Sequence, residues 1–180
     1  MFISPVTVLD HCAKYIPAWD SGLNIADCGC GLGEYTIELA KRMNNQGRLF
    51  AVDIQKPLLE RVSVEAAARK YNNLITIWSD LELLGATRIP ESSLDMVILS
   101  NILFQAEDKA TVIQEAFRLL KSGGKLLVVD WLDSFSGLGP QKSDVLPVDS
   151  ARQYIENNGF TINTNVDGSN HHYVILSSKP

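Results

Sequence analysis

Three glycines fall within five residues of the stretch DCGCGLGEYT, which joins an apolar run to an amphipathic one. Gly29, Gly31 and Gly33 are costly there, because glycine loses more conformational entropy on folding than any other residue. A ligand that approaches the backbone closely would explain them. The spacing therefore predicts a ligand-binding loop between a strand and a helix, where open parallel sheets bind their ligands.

A dinucleotide is one of two classes of ligand that such a loop could bind. A dinucleotide fingerprint has the spacing G-x-G-x-x-G, whose third glycine would fall where this chain carries Glu34. The Glu34 carboxylate would also repel a pyrophosphate group. The loop therefore disfavours a nicotinamide or flavin dinucleotide.

The three cysteines, Cys12, Cys28 and Cys30, do not form a recognisable disulfide framework. This favours a reducing, cytoplasmic setting. Cys28 and Cys30 could be read as metal ligands, but structural zinc sites need a second pair, and the chain has none. Two small residues packed at a tight turn are the alternative, and no metal site is expected.

The elements around the loop alternate between strand-like and helix-like patterns. Strands are predicted at 23–28, 48–54, 74–80, 93–101 and 125–131, and helices at 4–16, 34–44, 57–71, 107–121 and 149–159. Ser4 is the expected cap of the first helix and Asp149 or Ser150 that of the last, while Ser122 to Gly124 should end the fourth. Two final strands, 160–166 and 171–178, flank the turn signal DGSN.

This alternation predicts an α/β fold, a doubly wound parallel sheet with helices on both faces. The 180 residues suit a single domain over 1–180, with 46% hydrophobic and 21% charged residues. Residues 1–20 would supply a short N-terminal cap helix. Residues 132–147 form the longest loop, rich in Gly, Ser and Pro, and are a candidate lid.

The motifs together resemble the class I S-adenosylmethionine-dependent methyltransferases, and most closely the small type 11 group related to ubiquinone and menaquinone methyltransferases. DCGCGLG resembles the family signature D-x-G-x-G-x-G. The segments AVDI, WSDLE, SLDMVILSNILF and LLKSGGKLLVVDW follow in family order. Ser122 replaces the usual proline of the last segment.

The resemblance implies a Rossmann-like seven-stranded sheet of order 3-2-1-4-5-7-6, with strand 7 antiparallel. It also implies S-adenosylmethionine as cofactor. Asp27 would meet the ammonium group, Asp53 the ribose hydroxyls and Asp80 the adenine amino group, with helix capping as the alternative for Asp80. The other implied cofactor-binding residues are Gly29, Cys30, Gly31, Gly33, Ile54, Leu81 and Asn101.

The acceptor side of such a site would lie where strands 4, 5 and 7 meet. His171, His172 and Asp130 are candidate catalytic residues there, and Phe104 and Trp131 are candidate substrate contacts. A neutral imidazole could accept a proton at physiological pH. The alternative is a polar strand end hydrogen-bonded to the 132–147 loop, and alternation along a strand lets at most one histidine face the pocket.

The composition of the chain limits the classes of molecule that it is expected to bind. The net charge of −5 argues against nucleic acid, and neither a signal peptide nor a membrane span is evident. A small-molecule acceptor is the leading hypothesis. A non-catalytic cofactor-binding protein and a protein or RNA methyltransferase stay open, although the N-P-P-[YF]-like motif of nitrogen methylation is replaced by SNIL. Nothing in the sequence specifies an oligomeric state.

Overall fold

A computed structural model describes residues 3–135, 139–166 and 171–180. The strands are β1 Asn24–Cys28, β2 Arg48–Asp53, β3 Leu74–Trp78, β4 Leu94–Ser100, β5 Leu120–Trp131, β6 Thr161–Val166 and β7 His172–Ser178. The helices are α1 Pro5–Cys12, α2 Glu34–Met43, α3 Lys56–Ala68, α4 Lys109–Leu119 and α5 Val148–Asn157, and a short 3₁₀ turn, Ala13–Tyr15, follows α1. The predicted DGSN turn and part of the 132–147 loop lie outside the described residues.

The described strands form one seven-stranded sheet of order β3-β2-β1-β4-β5-β7-β6. Strands β1 to β5 pair in parallel, and β7 runs antiparallel between β5 and β6. The predicted fold class and strand order are therefore confirmed. Because the parallel strands point the same way, their carboxyl ends meet at one edge of the sheet.

Helices cover both faces of this sheet, because alternate strand residues point to opposite sides. On one face α1 and α2 pack in a cluster that includes Leu9, Leu39, Ile25 and Ile98. On the other face α4 and α5 pack in a cluster that includes Ile113, Ile155, Ala26 and Val97. In the part of the chain that the structure describes, no helix is long and apolar enough to cross a membrane.

The ends of several elements differ from the sequence prediction. Helix α4 ends at Leu119, and the segment Ser122 to Gly124 belongs to β5. The reason is tertiary, because Gly123 donates its amide to the Lys179 carbonyl and Gly124 accepts from the Lys179 amide. Helix α5 has Pro147 at its N-cap, so the predicted caps are wrong. The Ser4 cap is confirmed, since its hydroxyl accepts from the Thr7 amide at 3.3 Å.

Residues 79–93 connect β3 to β4 without a helix, and Glu115 of α4 holds this connection in place. Its buried carboxylate accepts from the Gly85 amide at 2.8 Å and from the Thr87 hydroxyl at 2.5 Å, and it pairs with Arg118 at 2.8 Å. Burial would raise the pKa of Glu115, but donors from Arg118, Thr87 and Gly85 outweigh it and hold the pKa below its usual value. Hydrogen bonds to the Glu115 carboxylate thus hold this connection against the fold, as a packed helix does between the other parallel strands.

Candidate active site

A cavity of about 550 Å³ opens at the carboxyl edge of the sheet, beside the glycine loop. All the cofactor-binding residues predicted from the resemblance lie in its wall except Gly33, and Phe104 and Trp131 lie there as well. Tyr35, Ser100 and Gln105 also line the cavity, and the sequence reasoning missed all three. The wall is therefore built from the carboxyl ends of β1 to β5 and from segments that follow β1 to β4.

The three glycines of the loop serve different purposes, although all have positive φ angles of 80°, 51° and 84°. A Cβ atom on Gly29 would lie 2.0 Å from the Ile102 side chain, and one on Gly33 would lie 2.6 Å from Val62. Only a Cβ on Gly31 would meet open space. Gly29 and Gly31 line the cavity, so the proposed approach of a ligand to the loop stays a prediction, while the packing of Ile102 and Val62 adds a second reason for glycine at positions 29 and 33.

Asp53 fastens the glycine loop to the end of β2. Its two carboxylate oxygens accept from the Gly31 amide and the Gln55 amide, each at 2.9 Å, and the residue is only 7% exposed. A carboxylate offers about four lone-pair sites, so two hydrogen bonds leave room for further donors. Asp53 can therefore hold the loop and still receive hydroxyl groups of a ligand.

Asp80 and its neighbours form the outer part of the wall. The Asp80 carboxylate accepts from the Glu82 amide at 2.9 Å and so forms a local turn, since residues 79–93 contain no helix for it to cap. Leu81 is half-buried, while Ile54 is 58% exposed. Two apolar side chains near a carboxylate could enclose a flat heterocycle.

Asp27 is an almost fully buried acid, 1% exposed, at the end of β1. It accepts from the Thr36 hydroxyl at 2.6 Å. Burial raises the pKa of Asp27 to about 6, against the lowering effect of Thr36, and the nearby charge of Asp53 adds to the rise. A bound cation would offset the cost of this buried charge.

Asn101, just after β4, has a left-handed backbone with φ 56°. Its amide donates to the Val129 carbonyl at 2.8 Å. Its buried side-chain Oδ1 has no hydrogen-bond partner among the described residues. Because a buried acceptor without a donor is costly, a ligand donor such as an ammonium group fits this position.

The electrostatic character of the cavity follows from five carboxylates in its wall: Asp27, Glu34, Asp53, Asp80 and Glu82. No Lys, Arg or His belongs to the described part of that wall. Such a cavity attracts cations and repels anions. A ligand with phosphate groups is therefore disfavoured on charge as well as on glycine spacing.

Asp130 lies beside the cavity without joining its wall. The fully buried carboxylate accepts from the Phe104 amide at 3.1 Å and the Trp131 amide at 2.8 Å. Burial raises the pKa of Asp130 to about 6, and these amides partly offset the rise. The structure thus places Asp130 where it fixes the backbone of two residues that do line the cavity.

The two histidines also lie outside the wall. His172 is buried and stacks on Trp131 with ring centroids 4.3 Å apart. Burial lowers the pKa of His172, and the neighbouring His171 lowers it further. His171 pairs with Asp133 at 2.9 Å and stacks on Phe135 at 4.0 Å. His172 contacts the cavity wall through its ring contact with Trp131.

The cysteines are free thiols and all three are buried. Burial raises the pKa of Cys12 to about 11 and raises the pKa values of Cys28 and Cys30 as well. Within the described ranges, no three His, Cys, Asp or Glu side chains are grouped so that they could hold a metal ion. Because their pKa values are raised, the three thiols are protonated at neutral pH.

Comparison with known proteins agrees with this geometry. Residues 19–144 match the family model of a methyltransferase domain. A demethylmenaquinone methyltransferase of Lactococcus lactis is 26% identical over 110 residues, 61% of this chain and 42% of that protein. The human arsenite methyltransferase is 30% identical over 125 residues, 66% of this chain and 33% of that protein. The chain thus spans less than half the length of these relatives.

One solved structure shows how far the fold is shared. A SAM-dependent methyltransferase from Aquifex aeolicus superposes with a TM-score of 0.84 at 18% identity, over 98% of this chain and 89% of that one. Fold and site together define a Rossmann-like α/β protein with an acidic ligand cavity at the carboxyl edge of its sheet. The chain belongs to the methyltransferase domain family, and the resemblance drawn from its motifs is confirmed.

Proposed function

We propose that the chain binds S-adenosylmethionine in this cavity and transfers its methyl group to a small organic acceptor. One observation carries the proposal: Asp80, Asp53, Asp27 and Asn101 lie at or just after the ends of four neighbouring strands and line one cavity. Neighbouring strands lie about 4.8 Å apart, so this row spans about 14 Å. An elongated ligand with polar groups at intervals suits such a row.

The proposed contacts assign each member of the row to one part of the cofactor. Asp80 accepts from the adenine amino group, and Asp53 accepts from the ribose hydroxyls. Asp27 and the Asn101 side-chain oxygen receive the ammonium group. Gly31 lets the ligand approach the loop, since the space beyond its Cα is open. The burial of Asp27 and the unpaired oxygen of Asn101 support these roles, because a cation relieves both.

When bound, the cofactor supplies a methyl group on a cationic sulfur, which is already a good leaving group. The protein's own contribution is mainly alignment of the acceptor, an advantage that can reach about 7 to 11 kcal/mol. Asp130 contributes by holding the Phe104 and Trp131 backbone. A base is needed only for an acceptor that must lose a proton.

We assign His172 a positioning role in this scheme. Its ring packs on Trp131, and its lowered pKa keeps it neutral at pH 7. His171 is engaged with Asp133 and Phe135 instead. The alternative, direct proton acceptance by a histidine, requires the ring to reach the acceptor from outside the described cavity wall.

The acceptor that best suits the wall is a flat organic molecule of low negative charge. Phe104, Trp131, Ala106 and Val112 offer aromatic and apolar surface. The relatives' names include both a quinone and arsenite as substrates. Trivalent arsenic prefers thiolate ligands, but Cys30 is the one thiol in the described wall, and its pKa is raised. A planar carbon compound is therefore favoured over arsenite.

The test combines binding with transfer. Calorimetry should show binding of S-adenosylmethionine and S-adenosylhomocysteine and none of NAD. Incubation with methyl-labelled cofactor and a panel of quinols, phenols, amines and arsenite should then label a flat organic acceptor. Binding of NAD without binding of S-adenosylmethionine would refute the proposal. Binding without transfer to any acceptor in whole-cell extract would favour the non-catalytic alternative.

A further inference from the structure

One polar group in the cavity wall has no role in the scheme above. Tyr35, in the first turn of α2, lines the cavity and is only 6% exposed. Its buried hydroxyl has no partner with hydrogen-bond geometry among the described residues, although the Ser100 side chain lies near enough to lower its pKa. Leaving a buried hydroxyl unsatisfied costs free energy, so a phenylalanine would suit a purely structural role better.

The hydroxyl is a hydrogen-bond donor under all ordinary conditions. Burial raises the pKa of Tyr35 well above its usual value, and the neighbouring charge of Asp27 raises it further. A protonated phenol can donate one hydrogen bond and can also accept one. An anionic acceptor would form the strongest such hydrogen bond.

The described cavity wall offers no cationic side chain to an anionic group. It contains five carboxylates and no Lys, Arg or His. The proposed cofactor nevertheless carries one carboxylate, on its methionyl end. Neutral donors must receive it, and the donors nearest to Asp27 are preferred because the ammonium and carboxylate groups share one carbon atom.

Tyr35 lies at the correct end of the row for this contact. Asp80 and Asp53 lie at the carboxyl ends of β3 and β2 and mark the adenosine end, while Asp27 and Asn101 lie at the carboxyl ends of β1 and β4. Tyr35 lies in the first turn of the helix that follows β1, and both Asp27 and Ser100 influence the pKa of its hydroxyl. The methionyl end of the ligand would therefore reach Tyr35.

We propose that Tyr35 is a specificity-determining residue whose hydroxyl binds the methionyl carboxylate in place of a cationic side chain. This inference rests on the proposed function. It predicts that the site distinguishes S-adenosylmethionine from its decarboxylated analogue through one phenol group, and that the unpaired hydroxyl is satisfied only when the ligand is bound.

The test is Tyr35→Phe, with Tyr173→Phe as the matched control. Tyr173 also carries a buried hydroxyl that lacks a hydrogen bond to the described residues, but it lies on β7 outside the cavity wall. Calorimetry would compare S-adenosylmethionine with decarboxylated S-adenosylmethionine, which keeps the sulfonium, the amine and the adenosine. We expect Tyr35→Phe to weaken the first ligand about 10- to 100-fold and the second less than about twofold. Tyr173→Phe should change neither.

Thermal unfolding without ligand separates this role from a structural one. Tyr35→Phe should unfold at the wild-type temperature or higher, because it removes an unsatisfied buried group. Equal weakening of both ligands, unchanged affinity for the full cofactor, or a lower unfolding temperature would each overturn the role of Tyr35. Failure of the wild type to bind either ligand would instead overturn the proposed function.

Discussion

Replacing Asp27 with Asn tests the central electrostatic argument, because the same buried charge should weaken the fold and strengthen cofactor binding. The pKa of Asp27 is raised from 3.8 to about 6 by burial. At 1.36 kcal/mol for each tenfold change in proton affinity, this corresponds to about 3 kcal/mol lost from folding at neutral pH. Asp27→Asn removes that penalty but also the charge that Thr36 contacts at 2.6 Å.

The sign of the effect sets the pH range for the measurement. The folded state binds the Asp27 proton more tightly than the unfolded chain, so its stability falls as the pH rises from about 4 to about 6. The Asn variant has no ionisable group at position 27, so its stability lacks this dependence on pH. Its free energy of unfolding relative to the wild type should therefore increase by about 2 to 3 kcal/mol between pH 4 and pH 7.

Urea unfolding without ligand at four pH values from 4 to 7.5 measures this difference. Asp130 titrates over the same range, since its pKa is also raised to about 6, but it is present in both proteins and cancels in the comparison. Calorimetry then gives the second half of the result. Wild-type affinity for S-adenosylmethionine should rise as the pH passes about 6, while the variant should bind about 10- to 100-fold more weakly at pH 7.5. A stability difference that does not change with pH would refute the reasoning.

Three further predictions concern neighbouring elements. Asp53→Ala should weaken S-adenosylmethionine binding by about 2 to 4 kcal/mol in calorimetry, because it removes hydrogen bonds to the ribose and frees the Gly31 amide; affinity within twofold of wild type in a folded variant would exclude the ribose role. Glu115→Gln should lower the free energy of unfolding in urea by about 2 to 3 kcal/mol at pH 7 and by less near pH 4, because Glu115 has a lowered pKa and stabilises the fold only when its carboxyl group is ionised. An equal loss at both pH values would contradict this role. His172→Ala should lower turnover with cofactor affinity unchanged, and His172→Phe should restore it, because a phenyl ring can pack on Trp131; failure of the Phe variant to restore turnover would favour proton transfer.

The sequence by itself determined the order of the elements and the carboxyl-edge site. Strand-helix alternation and turn signals are local properties of the chain, and the motif order then implied the observed sheet. Asp27, Asp53 and Asp80 could be placed because each comes at or just after the end of a parallel strand. Strand ends in such a sheet share one edge, so position along the chain already determines position in the fold.

The tertiary structure decided which side chains at those strand ends remain available to a ligand. The side chains of Ile102 and Val62, which are far from the glycine loop in the sequence, pack against Gly29 and Gly33. Asp130 satisfies two backbone amides and lies outside the cavity wall. The partners of a buried polar group depend on packing between elements and on backbone angles such as φ 56° at Asn101, and neither is encoded in local spacing. For the same reason, the buried hydroxyl of Tyr35 could be recognised only in the folded protein.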